Sequence, residues 1–84
     1  MARRLIKKDL TKDLLAIAGE RIILPTNISW VEYEADADLL YIALKEKPQS
    51  THSDDDAENG IIFDYEGNEL VAIEILNLYG VFVS

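Results

Sequence analysis

The chain has no cysteine and a single histidine, His52, among its 84 residues. Lacking cysteine, it can form neither disulfide staples nor thiolate metal sites. One imidazole without thiols does not assemble a zinc centre of the usual ligand type, and no nucleophile stands at a recognisable spacing from His52, which reads as an exposed loop residue. Long apolar runs are also missing. None approaches the roughly 18 residues that span a bilayer, and the basic N-terminus lacks the apolar core of a secretory signal, so a cytoplasmic protein is expected. Basic residues are scarce beyond position 21. Residues 1–21 carry Arg3, Arg4, Lys7, Lys8, Lys12 and Arg21 against Asp9, Asp13 and Glu20, a balance of +3. The rest carries Lys45 and Lys47 against thirteen carboxylates, a balance of −11. Such a body repels phosphate backbones and anionic membranes at long range and steers toward basic partners. Direct nucleic-acid binding by it is not expected, and the first 21 residues are too short to bind tightly alone.

Within the N-terminal stretch, Ile6, Leu10, Leu14 and Ile17 are spaced by four, four and three, which places them on one helical stripe. This predicts a helix over residues 5–18 with Gly19 as a left-handed cap. A shorter helix capped by Thr11 is the alternative start. Arg4, Lys8, Lys12 and Leu15 share the opposite face, read either as a solvated basic face or as a docking surface. Ile22–Leu24 is a short strand or extended connector stopped by Pro25, and Pro25–Asn27 is turn chemistry.

From Ile28 the apolar period becomes two, as a half-buried strand requires. Strands are predicted over residues 28–33, 38–45, 60–65 and 69–76. Glu34–Ala37 makes the first reversal and Glu66-Gly67-Asn68 a tight hairpin, where glycine and asparagine tolerate positive φ. Residues 46–59 are polar, with Pro48, Asp54, Asp55, Asp56 and Asn59, and read as a long loop with a few extended residues near 49–53. The tail, Asn77–Ser84, stays apolar (Leu78, Tyr79, Val81, Phe82, Val83), which predicts a fifth strand or insertion into a neighbour.

The fold expected is one α+β domain: a four- to five-stranded antiparallel meander with one N-terminal amphipathic helix. Residues 1–24 form the basic helix and connector, 28–78 the meander and 79–84 the apolar tail. A chain of this size buries only about 60–65% of its unfolded surface. A helix covers one face of a single-layer sheet. The other face then exposes Leu39, Tyr41 and Ile62 or their neighbours, which predicts a homodimer or other homo-oligomer.

The run Tyr33-Glu34-Ala35-Asp36-Ala37-Asp38-Leu39-Leu40-Tyr41-Ile42-Ala43-Leu44 resembles the hallmark of the bacterial and archaeal domain-of-unknown-function family numbered 2283. Ser53-Asp54, Gly60–Tyr65 and Val71–Leu76 are similar to its remaining blocks, in order, so the resemblance covers about residues 28–78. Ala72 stands where that family usually has glycine, the Asp64–Leu70 turn is one residue shorter, and the loop before Gly60 is longer and more acidic. The resemblance implies no catalytic residues. Some members are encoded beside toxin-like partners, which implies a binding or antitoxin-like role.

Individual clusters weigh the same way. Asp54, Asp56 and Glu58 alternate like oxygen ligands. A calcium loop counted from Asp54 would need glycine at its sixth place and glutamate at its twelfth, but Asn59 and Tyr65 stand there. A solvated acidic loop is the better reading. Glu34, Asp36 and Asp38 read as turn-structuring residues whose side chains bond nearby backbone N–H groups. Glu74 either faces solvent or pairs with Lys7, Lys8 or Arg21, and Asp64 lies near it across the hairpin. Trp30, Tyr33, Tyr41 and Tyr65 are strand-borne aromatics without the basic groove that single-stranded nucleic acid needs.

The function expected is a non-catalytic, antitoxin-like protein-interaction module for a basic protein partner, without cofactor or metal. Asp54, Asp55, Asp56 and Glu58 are its candidate steering surface and Leu15, Tyr79 and Phe82 its candidate apolar anchors. A nucleic-acid mimic with carboxylates along one ridge is one alternative. A small metal-dependent hydrolase is the other, and it requires Asp36, Asp38 and Asp64 to converge.

Overall fold

A computed structural model describes residues 7–80, with side chains from residue 12 onward. Helix α1 spans Lys7–Ala18, and the strands are β1 (Trp30–Glu34), β2 (Leu39–Ala43), β3 (His52–Asp56), β4 (Ile61–Glu66) and β5 (Glu69–Ile75). The five strands form one sheet in which every neighbouring pair is antiparallel. The class is therefore α+β, as the patterning predicts. Ile6, the side chains of Arg4, Lys8 and Leu10, and the tail 81–84 with Phe82 lie outside the described residues.

The α1 stripe works as its spacing requires. Leu14 and Ala18, four apart, are buried against the sheet, and Ile17 packs beside them. Leu15 is not a solvent-facing anchor. It is half-buried against the same cluster, because the apolar arc of the helix is wide enough to include it. Gly19 does not adopt the left-handed conformation expected of it; positive φ among the described glycines belongs to Gly60, Gly67 and Gly80. The last turn tightens instead. Glu20 N–H donates to Ile17 O at 3.1 Å and Arg21 N–H to Ala18 O at 2.9 Å. These shorter-range bonds satisfy the terminal carbonyls without a left-handed residue.

Strand order across the sheet is β1-β2-β5-β4-β3. Sequential hairpins join β1 to β2 and β3 to β4 to β5, but the segment after β2 runs to the far edge before the chain returns to place β5 beside β2, a Greek-key connection. Its turning point is β3, which lies inside the stretch expected to be a long loop. Successive aspartates have little strand propensity. At an edge, however, β3 needs pairing from β4 alone, and its exposed charges keep further strands off that edge. At the β4–β5 turn Gly67 has φ +65°, matching a two-residue hairpin with glycine at its first central position. Opposite the Asp64–Tyr65 step β5 carries one extra residue, Val71, as a bulge.

The core lies between α1 and one sheet face. It comprises Leu14, Ala18, Leu40, Ile42, Ile61, Ile73, Ile75 and Leu78, with Val31, Tyr33 and Phe63 packed on it. Alternation then sends the intervening residues to the other side of the sheet, which α1 leaves uncovered.

Candidate binding face

Two cross-strand rows make up this open face. One reads Trp30, Ala43, Ala72, Asp64, Ser53 from β1 to β3; the next reads Glu32, Tyr41, Glu74, Ile62, Asp55. Small residues in the middle of the first row, Ala43 and Ala72, let larger neighbours close over them, and both are fully buried. Glu74 therefore points away from the helix and from Arg21. The Arg21 guanidinium instead donates to the carbonyls of Leu76 at 2.6 Å and of Asn77.

At the β1–β2 end the face forms a groove of about 340 Å³ between Trp30, Glu32, Glu34, Leu39, Tyr41 and the passing segment 46–48. The Trp30 and Tyr41 rings lie 5.4 Å apart at 34°. Trp30 Nε1–H donates to Glu46 O at 2.9 Å, which fixes the indole plane while the residue stays 37% exposed. The segment 46–48 is held nearby, since the Lys45 ammonium meets Glu66 Oε1 at 3.2 Å and Gln49 N–H donates to the same oxygen at 3.3 Å. Lys45 and the Gln49 amide hold the Glu66 carboxyl below its ordinary range.

In the middle of the face two carboxyls share a small space. Asp64 is 5% exposed and accepts from Ser53 Oγ at 2.5 Å. Its hydrogen bond to the neighbouring Glu74, together with burial and the charges of Asp64 and Asp55, pushes Glu74 up to about 7. Burial, then Asp64 and Glu74, push the Tyr41 phenol above its ordinary value. The groove, with this much carboxylate and aromatic surface and Lys47 as the one cation among its lining residues, favours positive charge.

The residues expected to steer a partner are divided by strand alternation. Asp55 belongs to the open face. Asp54 and Asp56 project to the other side of edge strand β3, opposite Phe63 and Ile61. Asp56 is occupied locally, accepting from Asn59 Nδ2 at 2.8 Å, and Glu58 is exposed in the turn. His52 is exposed, as expected, but opens β3 and stacks on Tyr65 at 5.3 Å. Tyr79 is 45% exposed yet meets Tyr33 edge-on at 5.5 Å. Of the three turn acids, Glu34 and Asp36 are exposed and Asp38 is fully buried at φ +52°. Asp38 accepts from Tyr33 Oη at 2.5 Å and from the Tyr79 and Gly80 amides at 3.0 and 2.8 Å. Asp36 and Asp38 stand at the β1–β2 turn and Asp64 on the open face beside Ser53, so these three do not converge. No group of three or more His, Asp or Glu among the described residues is placed to hold a metal ion. Of the groove residues Trp30, Glu32 and Glu34, the sequence offers Trp30 only as a strand-borne aromatic and Glu34 only as a turn residue, and Glu32 carries no sign of its own. The alternation of two consecutive strands is the signal that marks all three.

The fold and this face define a small α+β domain, an antiparallel sheet backed by one helix and bare on its acidic side. The chain belongs to the family described as protein of unknown function, DUF2283, whose model matches residues 30–78. That match takes in all five strands and excludes α1 and Arg21. No curated protein and no solved structure matches the chain significantly. Among the described residues no helix is long and apolar enough to cross a membrane.

Proposed function

We propose that this chain is a non-catalytic interaction module that binds a basic protein partner through the open face of its sheet. The observation that carries the reading is the gathering of Glu32, Glu34, Glu74, Asp64 and Asp55 on one face around the Trp30–Tyr41 floor. Apolar and aromatic area supplies the contact, while the carboxylates give partner choice and a fast encounter. The acidic surface is thus a whole sheet face rather than the 54–58 segment alone. Neutralising a basic toxin-like protein, as the family resemblance implies, is one form of this function. A nucleic-acid mimic is less well supported. Glu32, Glu74 and Asp55 alternate with uncharged residues across successive strands, which spaces them about 10 Å apart, whereas one nucleic-acid strand carries a charge every ~3.4 Å of helix axis.

The chain has a single tryptophan, and it sits on this face, so its fluorescence reports binding directly. Titration with polylysine at low ionic strength is expected to change Trp30 emission with an affinity that falls steeply as salt is added, while polyglutamate has no effect. Absence of any polylysine response at low salt refutes the proposal.

A further inference from the structure

We infer that the groove above Trp30 and Tyr41 is a socket for one arginine or lysine side chain, carried by an extended segment of a basic partner protein. This rests on the reading just given and narrows it to one site and one class of anchor.

Three features of the groove converge on a cation with an aliphatic stem. Its floor is an aromatic pair whose indole is locked by the bond to Glu46 O. A guanidinium or ammonium within about 6 Å of such a ring face is attracted by the ring quadrupole, tryptophan being the strongest of the aromatic residues. Its wall on β1 carries Glu32 and Glu34, two residues apart and so on the same side of the strand; both are exposed and neither has a cation of this chain against it among the described residues. Leu39 offers apolar surface for the methylene stem, which long basic side chains lay down while keeping the charged head polar. The volume, about 340 Å³, is at the lower end of ligand pockets and admits one long side chain rather than a folded domain.

Charge also decides between occupants. A second copy carries a net −8, and laying its sheet face on this one sets carboxylates against carboxylates, which is destabilising for residues directly opposed. A partner rich in lysine or arginine meets no such opposition. Lys47, at the rim, directs an incoming head group away from itself and toward Glu32 and Glu34.

The experiment titrates the full chain with a nine-residue peptide of alternating arginine and threonine, followed by Trp30 fluorescence and by the NMR signal of its indole N–H. The same peptide with citrulline for arginine keeps the shape and removes the charge. Two double variants are compared, Glu32→Gln/Glu34→Gln in the groove and Asp54→Asn/Asp56→Asn on β3. Each removes two charges, from exposed side chains in every case but the half-buried Asp56. The socket predicts that the arginine peptide shifts the indole signal, that citrulline abolishes the shift, and that the groove variant weakens binding about tenfold while the β3 variant changes it less than about twofold. An indole shift that the groove variant leaves unchanged overturns the socket and leaves the open face as the binding surface. Equal weakening by the two variants assigns the response to overall charge and overturns both, since Asp54 and Asp56 lie on the other side of β3. No binding by any basic probe removes both. A dimer in sedimentation that the groove variant dissolves assigns the groove to a second copy and also overturns the socket.

Discussion

The Tyr33 hydroxyl donates to Asp38 Oδ1 at 2.5 Å, so a β1 side chain and the left-handed residue before β2 are joined across their own turn. Asp38 then reaches along the chain. Its carboxylate takes the amides of Tyr79 and Gly80 and its carbonyl takes Leu78 N–H at 3.0 Å. One buried residue thus closes the first hairpin and pins the segment after β5. Asp38→Ala strips acceptors from a phenol and two amides and leaves alanine at a positive φ. Since each unsatisfied buried group costs about 1–3 kcal/mol and three donors lose their acceptor, the expected loss in urea unfolding is at least about 3 kcal/mol. Asp38→Asn keeps an acceptor oxygen and the tolerance for this backbone region, so it should lose less. Equal losses in the two variants would assign the cost to something other than the acceptor.

The same contact predicts an alkaline signature. Burial first, then the hydrogen bond to Asp38 and the charges of Asp38 and Tyr79, push the Tyr33 phenol up to about 12. A group whose folded value exceeds its unfolded value of about 10 stabilises fully below the unfolded value. That contribution is lost as pH climbs through the folded value. Ultraviolet titration should show one tyrosine ionising near the top of the accessible range in the folded protein. In Asp38→Asn that tyrosine should ionise earlier.

How legible these features are in the sequence depends on the strand. Residues 39–44, 61–65 and 70–75 announce themselves because aromatic and β-branched side chains alternate between turn formers. His52–Asp56 gives no such sign. What makes it a strand is the β4 backbone beside it, a tertiary neighbour that no local pattern encodes. The same limit hides the open face. Trp30 near Tyr41 follows from a hairpin register and is accessible to alternation. Glu74 beside Tyr41 requires β5 to enter next to β2, a pairing set by how the crossover closes the core around Ile42, Ile73 and Ile75. Asp38 stands in a turn, where its side chain is expected to bond nearby amides, but it grips Tyr79 and Gly80, some forty residues away, which is a property of the closed fold.

The paired carboxyls on the open face predict an acid-side effect of opposite sense to ordinary acid unfolding. Glu74 is pushed from its usual 4.5 up to about 7, so between those values the folded chain holds a proton that the unfolded chain has released. Stability therefore falls as pH rises through this window and is flat above it. Glu66, held low by Lys45, acts the other way and only below its unfolded range, so the two effects separate. Melting temperature measured from pH 5 to 8 should decline in the wild type. Glu74→Gln should flatten that decline and melt higher than the wild type at pH 8. A parallel decline in both proteins would place the titrating group elsewhere.

Arg21 sits outside the family match and nonetheless secures the end of the matched region. Its Nη1 donates to Leu76 O at 2.6 Å and its Nη2 to Asn77 O, which ties the chain just after α1 to the segment leaving β5. The neighbouring Gly60 holds φ +67°, a conformation that favours glycine, although a Cβ there would make only ordinary contacts, 3.6 Å from Arg21 Nη1 and 3.5 Å from Leu76 O. The planar fork matters, because a lysine ammonium cannot span two carbonyls in this fixed geometry. Arg21→Lys should therefore lose nearly as much as Arg21→Ala, on the order of 1–2 kcal/mol given the charged donor and its exposure. Amide exchange distinguishes this from a general weakening. The Leu76 and Leu78 amides, bonded to Gly60 O at 2.8 Å and Asp38 O at 3.0 Å, should exchange faster in both variants, while the β1–β2 amides keep their protection relative to global stability. If Arg21→Lys instead retained wild-type protection at Leu76 and Leu78, charge alone would suffice, and the helix would be held to the sheet by Leu14 and Ala18 without the guanidinium clamp.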